Sequence, residues 1–182
     1  MRRLRIRLGR RGAVAVEFAI IAQVFAVLFA GTAEIGLIYA KRLQLSNTLA
    51  TASNFAMVNP AAVSATGGAG LAATLGAILS NDGILAPATV AIVINNGPRR
   101  NIANNVATTS GEANDADRCW CPTGSTTIAW GVATTCGSAC ANGLRAGKFV
   151  ELHVSRAHTA LFAGIGGVRN GRISQMSLVQ TE

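Results

Sequence analysis

Aromatic and charged side chains are scarce in this sequence of 182 residues. Aromatic residues make up 5% of the chain and charged residues 13%, which is about half the charged share that is usual in globular proteins. Half of the residues are nonetheless apolar, and alanine and glycine supply much of the small side-chain volume. With so few large apolar side chains, any soluble core must be small. We therefore expect one small domain plus an N-terminal element.

Common catalytic motifs are also missing: the sequence has no G-x-S-x-G elbow, no P-loop and no H-E-x-x-H zinc motif. The stretch GAGLAA (68–73) matches a dinucleotide-binding pattern, but no clear strand precedes it and 90–96 lack the acidic residue that such a site needs. We interpret it as a hinge or a helix start. His153 and His158 are five residues apart, so they cannot share one face of a strand, and we interpret both as exposed strand positions. The sequence predicts a protein that is not an enzyme, without catalytic residues, cofactor or metal.

The net charge of +8 is concentrated at the N-terminus. Six arginines lie within the first twelve residues, which leaves ten of the sixteen basic residues against eight acidic ones in the rest of the chain. A basic cluster directly before an apolar run is typical of the flank that orients a membrane segment. The alternative is a disordered arm that binds nucleic acid, but such an arm seldom adjoins an apolar segment. We therefore expect a membrane partner and no nucleic acid.

The apolar run covers residues 13 to 33, and Glu17 is its only charged residue. A helix needs about 20 apolar residues to cross a bilayer, which this run just reaches. Because arginines precede the run and only Lys41 and Arg42 follow it closely, the N-terminus is predicted to lie in the cytoplasm. The chain beyond about residue 40 should then lie across the membrane, with Glu34 reaching water at the far membrane edge.

The helical pattern continues beyond the membrane segment. No proline interrupts it until Pro60, which is a natural helix terminator. The sequence therefore predicts one helix over about residues 13–58, roughly 70 Å long. Its second half should project from the bilayer and bury an apolar stripe at helical spacing, which consists of Ile38, Leu45, Leu49, Ala52 and Ala56.

A cleavable secretory signal is the competing interpretation of the N-terminus. It explains the basic residues, the apolar run and the small residues near a cleavage site at Ala33. Glu17 counts against it, because a carboxylate at that depth costs about 2–3 kcal/mol of insertion free energy. The helical pattern beyond residue 34 also stays unexplained. On this interpretation the product would be a secreted, disulfide-stabilised binding domain.

Residues 59–182 are predicted to form a small α+β domain. Leu71, Leu75, Ile78 and Leu79 mark a short amphipathic helix that should end near 81–83. We expect this helix to pack on an antiparallel sheet of three or four strands, because the strand-like segments are joined by short connectors. Residues 99 to 118 are polar and are interpreted as a loop. The segments with strand patterns are 88–94, 148–158 and 172–181.

Four cysteines follow the pattern C-x-C-x14-C-x3-C. Zinc is the competing interpretation, but zinc knuckles usually have two residues between paired cysteines, and neither pair here does. If the domain is exported, its compartment is oxidising, which favours two disulfides that staple the loop 119–140. Neighbouring cysteines are not expected to bond each other, and the connectivity is otherwise left open. The four residues are Cys119, Cys121, Cys136 and Cys140.

The N-terminal motif resembles the processing site of type IV prepilins. Gly12 is followed by four small apolar residues and then by Glu17 and Phe18. The leader peptidase of that family cuts after such a glycine, so that the glutamate is the fifth residue of the mature chain. An aromatic sixth residue looks like the Tad (tight adherence, Flp) branch, and RRGAVAVEFAII is most similar to its TadE-like pseudopilins. The paired cysteines and the ending 148–182 resemble the cysteine insert and final two strands of those proteins.

This resemblance implies a domain organisation and a cellular location. A leader at residues 1–12 would be removed between Gly12 and Ala13, and the helix 13–58 would anchor a periplasmic domain in the bacterial inner membrane. The protein would be a minor pilin of a Tad-type adhesion pilus. Its implied partners are the prepilin peptidase, other Tad pilins and pseudopilins, and the inner-membrane assembly platform.

Chemistry also gives Glu17 a role in this scheme. Removal of the leader would create an α-amine on Ala13 within the apolar zone, and two desolvated opposite charges compensate one another when they pair. Helices with an axial offset could place Glu17 of one subunit against the Ala13 amine of its neighbour. This pair, with Phe18 beside it, would set the register between subunits. The alternative is that Glu17 reaches the lipid headgroups.

Overall fold

The computed structural model describes residues 10–80, 89–160, 168 and 170–182. Parts of three predictions lie outside these residues. They concern the first nine residues of the leader, the helix end near 81–83 and most of the connector before the last strand.

A single helix, α1, extends from Arg10 to Val58 and confirms the predicted long N-terminal helix. It ends where the sequence indicated, because Pro60 lacks a backbone N–H and disfavours helical geometry in the residue before it. The side chain of Asn59 donates a hydrogen bond to the carbonyl oxygen of Phe55 (2.8 Å). A short 3-10 helix, Pro60–Ala62, then turns the chain toward the domain.

The two halves of α1 have different environments. The most apolar window of the segment Gly12–Val58 has a mean hydropathy of 2.3, and none of it is buried inside the protein. In the second half, the predicted stripe is confirmed, because each of its residues is at most 5% exposed. Among the described residues, the domain therefore packs on the second half of α1.

The domain contains a five-stranded antiparallel sheet with the strand order β3-β2-β1-β4-β5. This architecture confirms the predicted α+β class, with one strand more than the upper expectation. A second helix, α2 (Gly68–Ser80), confirms the predicted amphipathic helix, and GAGLAA forms its first turns. The strands are β1 (Thr89–Ile94), β2 (Arg99–Ala103), β3 (Val106–Ser110), β4 (Phe149–Ala157) and β5 (Arg172–Gln180).

The prediction that residues 99–118 form a loop was wrong. They contain β2, β3 and a short 3-10 helix, Ala113–Asp117. Asn104 and Asn105 join the two strands with φ values of 50° and 63°, and two successive positive φ angles are the mark of a tight type I′ hairpin turn. Every residue of β3 is exposed, so its polar composition concealed the strand.

The main core lies between the two helices and one face of the sheet. In β4, Val150, Leu152 and Val154 point to this face and are essentially fully buried, as their alternation predicted. β1 contributes Val90, Ile92 and Ile94 opposite them. The second half of α1 and the apolar side of α2 cover this surface together.

Candidate functional site

The residues predicted to direct processing and assembly lie on the first turns of α1. Ala13 and Glu17 are four residues apart, so a helix places them on the same face. Both side chains are exposed, as is Phe18 at 71%. The motif is therefore presented to its surroundings and is not buried in the domain.

The surface that continues from this motif is almost entirely apolar. The hydroxyl of Thr32 donates to the carbonyl oxygen of Phe29 (2.9 Å), so this side chain satisfies its donor within the helix. Such a continuous apolar surface needs lipid or other apolar helices around it. The large apolar side chains exposed here are Val14, Val16, Phe18, Ile20, Ile21, Val24, Phe25, Val27, Leu28 and Phe29.

Glu34 does not reach water, which corrects the expectation from the sequence. It is 2% exposed and lies four residues before Ile38, on the same buried stripe of α1. Its Oε1 atom is 3.7 Å from Nε2 of His158, and both side chains are buried. The first contact between α1 and the domain is thus made by ionisable groups.

His158 was predicted to be exposed, and that prediction was also wrong, because His158 is only 6% exposed. It follows the end of β4, and its Nδ1 atom lies 3.0 Å from Nζ of Lys41. A lysine ammonium can only donate, so Nδ1 accepts and the ring proton is assigned to Nε2, which faces Glu34. We call Glu34, Lys41 and His158 the hinge-end cluster, because it lies at the end of the domain where α1 continues into the exposed apolar segment. His153, on the opposite sheet face, is only partly exposed.

The cysteine loop closes with two disulfides, Cys119–Cys136 and Cys121–Cys140. They confirm the predicted disulfide-stapled domain and settle the connectivity that the sequence left open. The Cα atoms of the two pairs are 5.1 Å and 5.6 Å apart, within the usual range for disulfides. Each bond closes a short loop, which lowers the conformational entropy of the unfolded chain.

This loop lies on the sheet face opposite the helices. Trp120 and Trp130 meet edge to face with ring centroids 6.4 Å apart. They pack with Val93 and Phe149, which point away from the helices, and form a second, smaller core. The loop therefore covers part of the sheet that would otherwise expose apolar side chains.

A buried asparagine connects the segment just before this loop to the sheet. Asn95 has a φ of 49° in the turn after β1, a conformation that asparagine tolerates better than most residues. Its Nδ2 atom donates to the carbonyl oxygens of Ala116 (2.9 Å) and Arg118 (2.6 Å). Its Oδ1 atom accepts from the backbone N–H of Phe149 (3.0 Å). Sequence analysis identified this turn but not the role of the side chain.

Glu151 occupies the margin between the sheet and the loop. Burial raises the pKa of its carboxyl group above the usual 4.5, although His153, Arg99 and a hydrogen bond from Trp130 all act to lower it. Partial burial of a carboxylate thus costs free energy that its neighbours only partly offset.

A cleft of about 420 Å³ lies between the cysteine loop and the strands β4 and β5. Its walls carry small polar groups, one imidazole and one thioether. They are Ser125, Thr126, His153, Ser174, Gln175 and Met176.

The part of the chain that matches a known protein family lies within α1. The model of the TadE-like protein family matches residues 12–53. Over this segment the chain is similar to TadE-like proteins. The match begins at the glycine of the predicted processing site and ends within the part of α1 that packs on the sheet. It does not extend to the sheet or the cysteine loop.

The TadE-like match indicates a pilin-like protein associated with a Tad pilus, and that family is structural rather than enzymatic. The long apolar helix fits a single-pass membrane pilin. No curated protein and no solved structure matches the chain.

Proposed function

We propose that this TadE-like protein is a non-enzymatic minor pilin for assembly of a Tad-type pilus. In this proposal residues 1–12 are a cytoplasmic leader, 13–58 the membrane and projecting helix, and 59–182 a periplasmic domain. The observation that carries it is the order of arginines, Gly12, Glu17 and Phe18 at the start of an exposed apolar helix. The proposed partners are the prepilin peptidase, other Tad pilins and pseudopilins, and the assembly platform of the bacterial inner membrane.

The N-terminal residue of the mature protein tests the cleavage step. We expect the protein purified from cell membranes to begin at Ala13, as read by N-terminal sequencing. A Gly12→Val variant should accumulate with its leader attached. Gly31→Val is the matched control, because a side chain at Gly31 meets nothing within 4 Å, and it should be processed like the parent. A parent chain that keeps residues 1–12 would contradict the proposal.

Glu17 is proposed to pair with the Ala13 amine of a neighbouring subunit. Both groups lie on an exposed helix face, so a neighbouring helix with an axial offset can approach them. In an apolar bundle a misaligned register would leave both charges unpaired, at a cost of several kcal/mol per ion. The pair would therefore select the alignment in which the subunits assemble.

A Glu17→Ala variant separates this role from processing. We expect it to be cut after Gly12 but to give few or no pili by electron microscopy, because the amine loses its counter-charge. Gln23→Ala is the control, since it removes another exposed polar side chain from the same apolar segment. Normal piliation by the Glu17→Ala variant would show that the register role is wrong, while leaving the cleavage site intact.

A secreted binding domain, released near Ala33, is the second candidate. It is favoured by one observation, namely that the buried stripe of α1 begins at Glu34. A chain starting there would keep every helix–sheet contact of the stripe, and the cleft beside the cysteine loop would be its binding site. A mature protein that begins at Glu34 and appears in the culture medium would support this function over the pilin.

A further inference from the structure

The burial of Glu34 changes where the membrane can end along α1. If Glu34 faced lipid or water, the charge-free surface after Glu17 would run from Phe18 to Ala33, which spans roughly 24 Å of helix. This is shorter than the hydrocarbon core of a bilayer, which is about 30 Å thick. Because the hinge-end cluster takes Glu34 out of the surface, the next charged side chain along the helix is Lys41.

The exposed surface stays apolar beyond Glu34. The exposed fractions of Ile35, Leu37 and Tyr39 are 49%, 58% and 63%, although all three follow Glu34, where the buried stripe of α1 begins. The exposed charge-free surface therefore runs from Phe18 to Ala40, roughly 35 Å of helix. This length matches the hydrocarbon core with a small tilt.

The boundary after Ala40 has the composition of a membrane interface. A tyrosine with an apolar ring and a polar hydroxyl precedes two cations, as in the aromatic and basic belts of membrane proteins. Lys41 and Arg42 are half-buried, so their stems lie against protein while they remain near the surface. Beyond this point, the next exposed polar side chains along the helix are Gln44, Ser46 and Asn47.

The same boundary sets the depth of the domain. Glu34 lies roughly 7 Å deeper along the helix than Tyr39, and His158 is beside it. The residue opposite Ala157 in the sheet is Arg172, so a third half-buried cation lies at this end of the domain. Together with Lys41 and Arg42, this cation can pair with the negative headgroups of anionic phospholipids.

We propose that the acyl core of a phospholipid bilayer extends along α1 from Phe18 to about Tyr39, and that Lys41 and Arg42 lie in the headgroup layer. The end of the domain beside α1 then enters the bilayer, so that Glu34 and His158 lie below the headgroups but are shielded from lipid by their burial. This inference rests on the membrane insertion in the proposed function and adds the depth at which the domain sits. Glu17 then lies at the cytoplasmic edge before assembly and gains its partner amine only in the assembled bundle. The occupant of the surface at Ile35, Leu37 and Tyr39 is lipid, in continuity with the apolar segment before it.

Spin labels on the full chain test this placement. Single cysteines are introduced at Phe25, Leu37 or Asn47, all of which are exposed, and the protein is reconstituted in phosphatidylcholine–phosphatidylglycerol vesicles. The four native cysteines are paired in disulfides, so the parent chain treated with the same label is the blank. Collision rates with oxygen and with a water-soluble nickel chelate report the depth of each label.

We expect the label at Leu37 to behave like that at Phe25, favouring oxygen, and the label at Asn47 to favour the nickel chelate. A water-like label at Leu37 with a lipid-like label at Phe25 would overturn the depth and leave membrane insertion intact. Protection of Leu37 from both reagents would show that a second protein copy covers this face, which also overturns the lipid contact. A water-like label at Phe25 would instead contradict the membrane insertion itself.

Variants of the cluster test why the boundary lies there. His158→Ala should shift the crossover between lipid-like and water-like labels to the N-terminal side of Leu37, because Glu34 loses its cover. Adding Glu34→Leu to this variant should restore the original crossover. His153→Ala is the matched control on the other sheet face and should leave it unchanged. An unchanged crossover in His158→Ala, with the tryptophan emission of the folded loop preserved, would show that this cluster does not set the depth.

Discussion

Glu151 illustrates how a single residue can bear the cost of joining two parts of the domain. Its carboxyl group accepts a hydrogen bond from Trp130 in the cysteine loop while its own backbone belongs to β4. Removal from water raises the pKa of this carboxyl group above 4.5. The contact is thus made despite the penalty for burying a charge.

This raised pKa predicts a pH dependence of stability. A carboxyl group with a higher pKa in the folded state contributes stability that is fully present below its unfolded pKa, near 4.5, and is lost as pH rises through the folded value. Relative to a Glu151→Gln variant, the parent should therefore lose free energy of unfolding as pH rises from 4.5 toward 7. Denaturation of the full chain in detergent, followed by tryptophan fluorescence, measures this difference.

Glu112→Gln provides the control for this measurement, because it removes an exposed carboxylate outside the sheet. The glutamine at position 151 can still accept from Trp130, so the hydrogen bond itself is kept. A parent that gains stability relative to Glu151→Gln as pH rises would contradict the assigned cause, as would equal curves for the two variants.

At the scale of elements, the contact between α1 and the sheet depends on small side chains. Ala52 and Ala56 are fully buried where α1 crosses the domain. Next to them, Ser53 forms a hydrogen bond with Ser177 of β5 (2.9 Å between hydroxyl oxygens). Small residues at these two positions allow the helix backbone to approach the sheet closely.

Ala52→Leu should therefore destabilise the folded domain by about 1–3 kcal/mol, because the added carbons must displace the helix or its neighbours. The free energy of unfolding in detergent measures the effect. Ala50→Leu is the matched control: it makes the same change on an exposed face of the same helix and should alter stability by no more than about 0.5 kcal/mol. Equal losses in both variants would point to the helix itself and not to its contact with the sheet.

The elements that sequence predicted well are those with a regular apolar pattern. The stripe ending at Ala56 and the alternation around Leu152 report directly which face is buried, because burial follows the helix and strand periods. The β2–β3 hairpin has no such pattern, since β3 is exposed on all sides. Its evidence was the Asn104–Asn105 turn, which is a conformational signal and not a hydrophobic one.

The hinge-end cluster was missed for a different physical reason. The cost of burying a charge places an isolated glutamate in water, and only a tertiary partner reverses that expectation. His158 is far from Glu34 in sequence, so the residues around Glu34 do not predict this partner. The available signal was the helical spacing, because Glu34 precedes Ile38 by four residues and so lies on the same stripe. The N-terminal motif, by contrast, could be recognised from the sequence because it is a short continuous segment.

At the scale of the whole molecule, charge and apolar surface are separated along one axis. The arginine-rich start, the uncovered apolar helix and the nearly neutral domain follow one another in that order. Lys41 and Arg42, the cations that follow the apolar segment along the helix, are few compared with the six arginines at the start. Orientation should therefore depend on the N-terminal arginines and not on the total charge.

Replacing Arg2, Arg3, Arg5 and Arg7 with alanine tests this dependence. Two arginines would remain before the apolar segment against Lys41 and Arg42 after it, so the bias that orients the helix would vanish. We expect the C-terminus to be distributed between the two sides, with about half of the activity of a C-terminal alkaline phosphatase fusion lost. The matched control, Arg118→Glu with Arg145→Glu, lowers the net charge by the same amount through exposed residues of the domain. It should leave the fusion fully active, whereas equal losses in both variants would mean that net charge, and not its position, directs insertion.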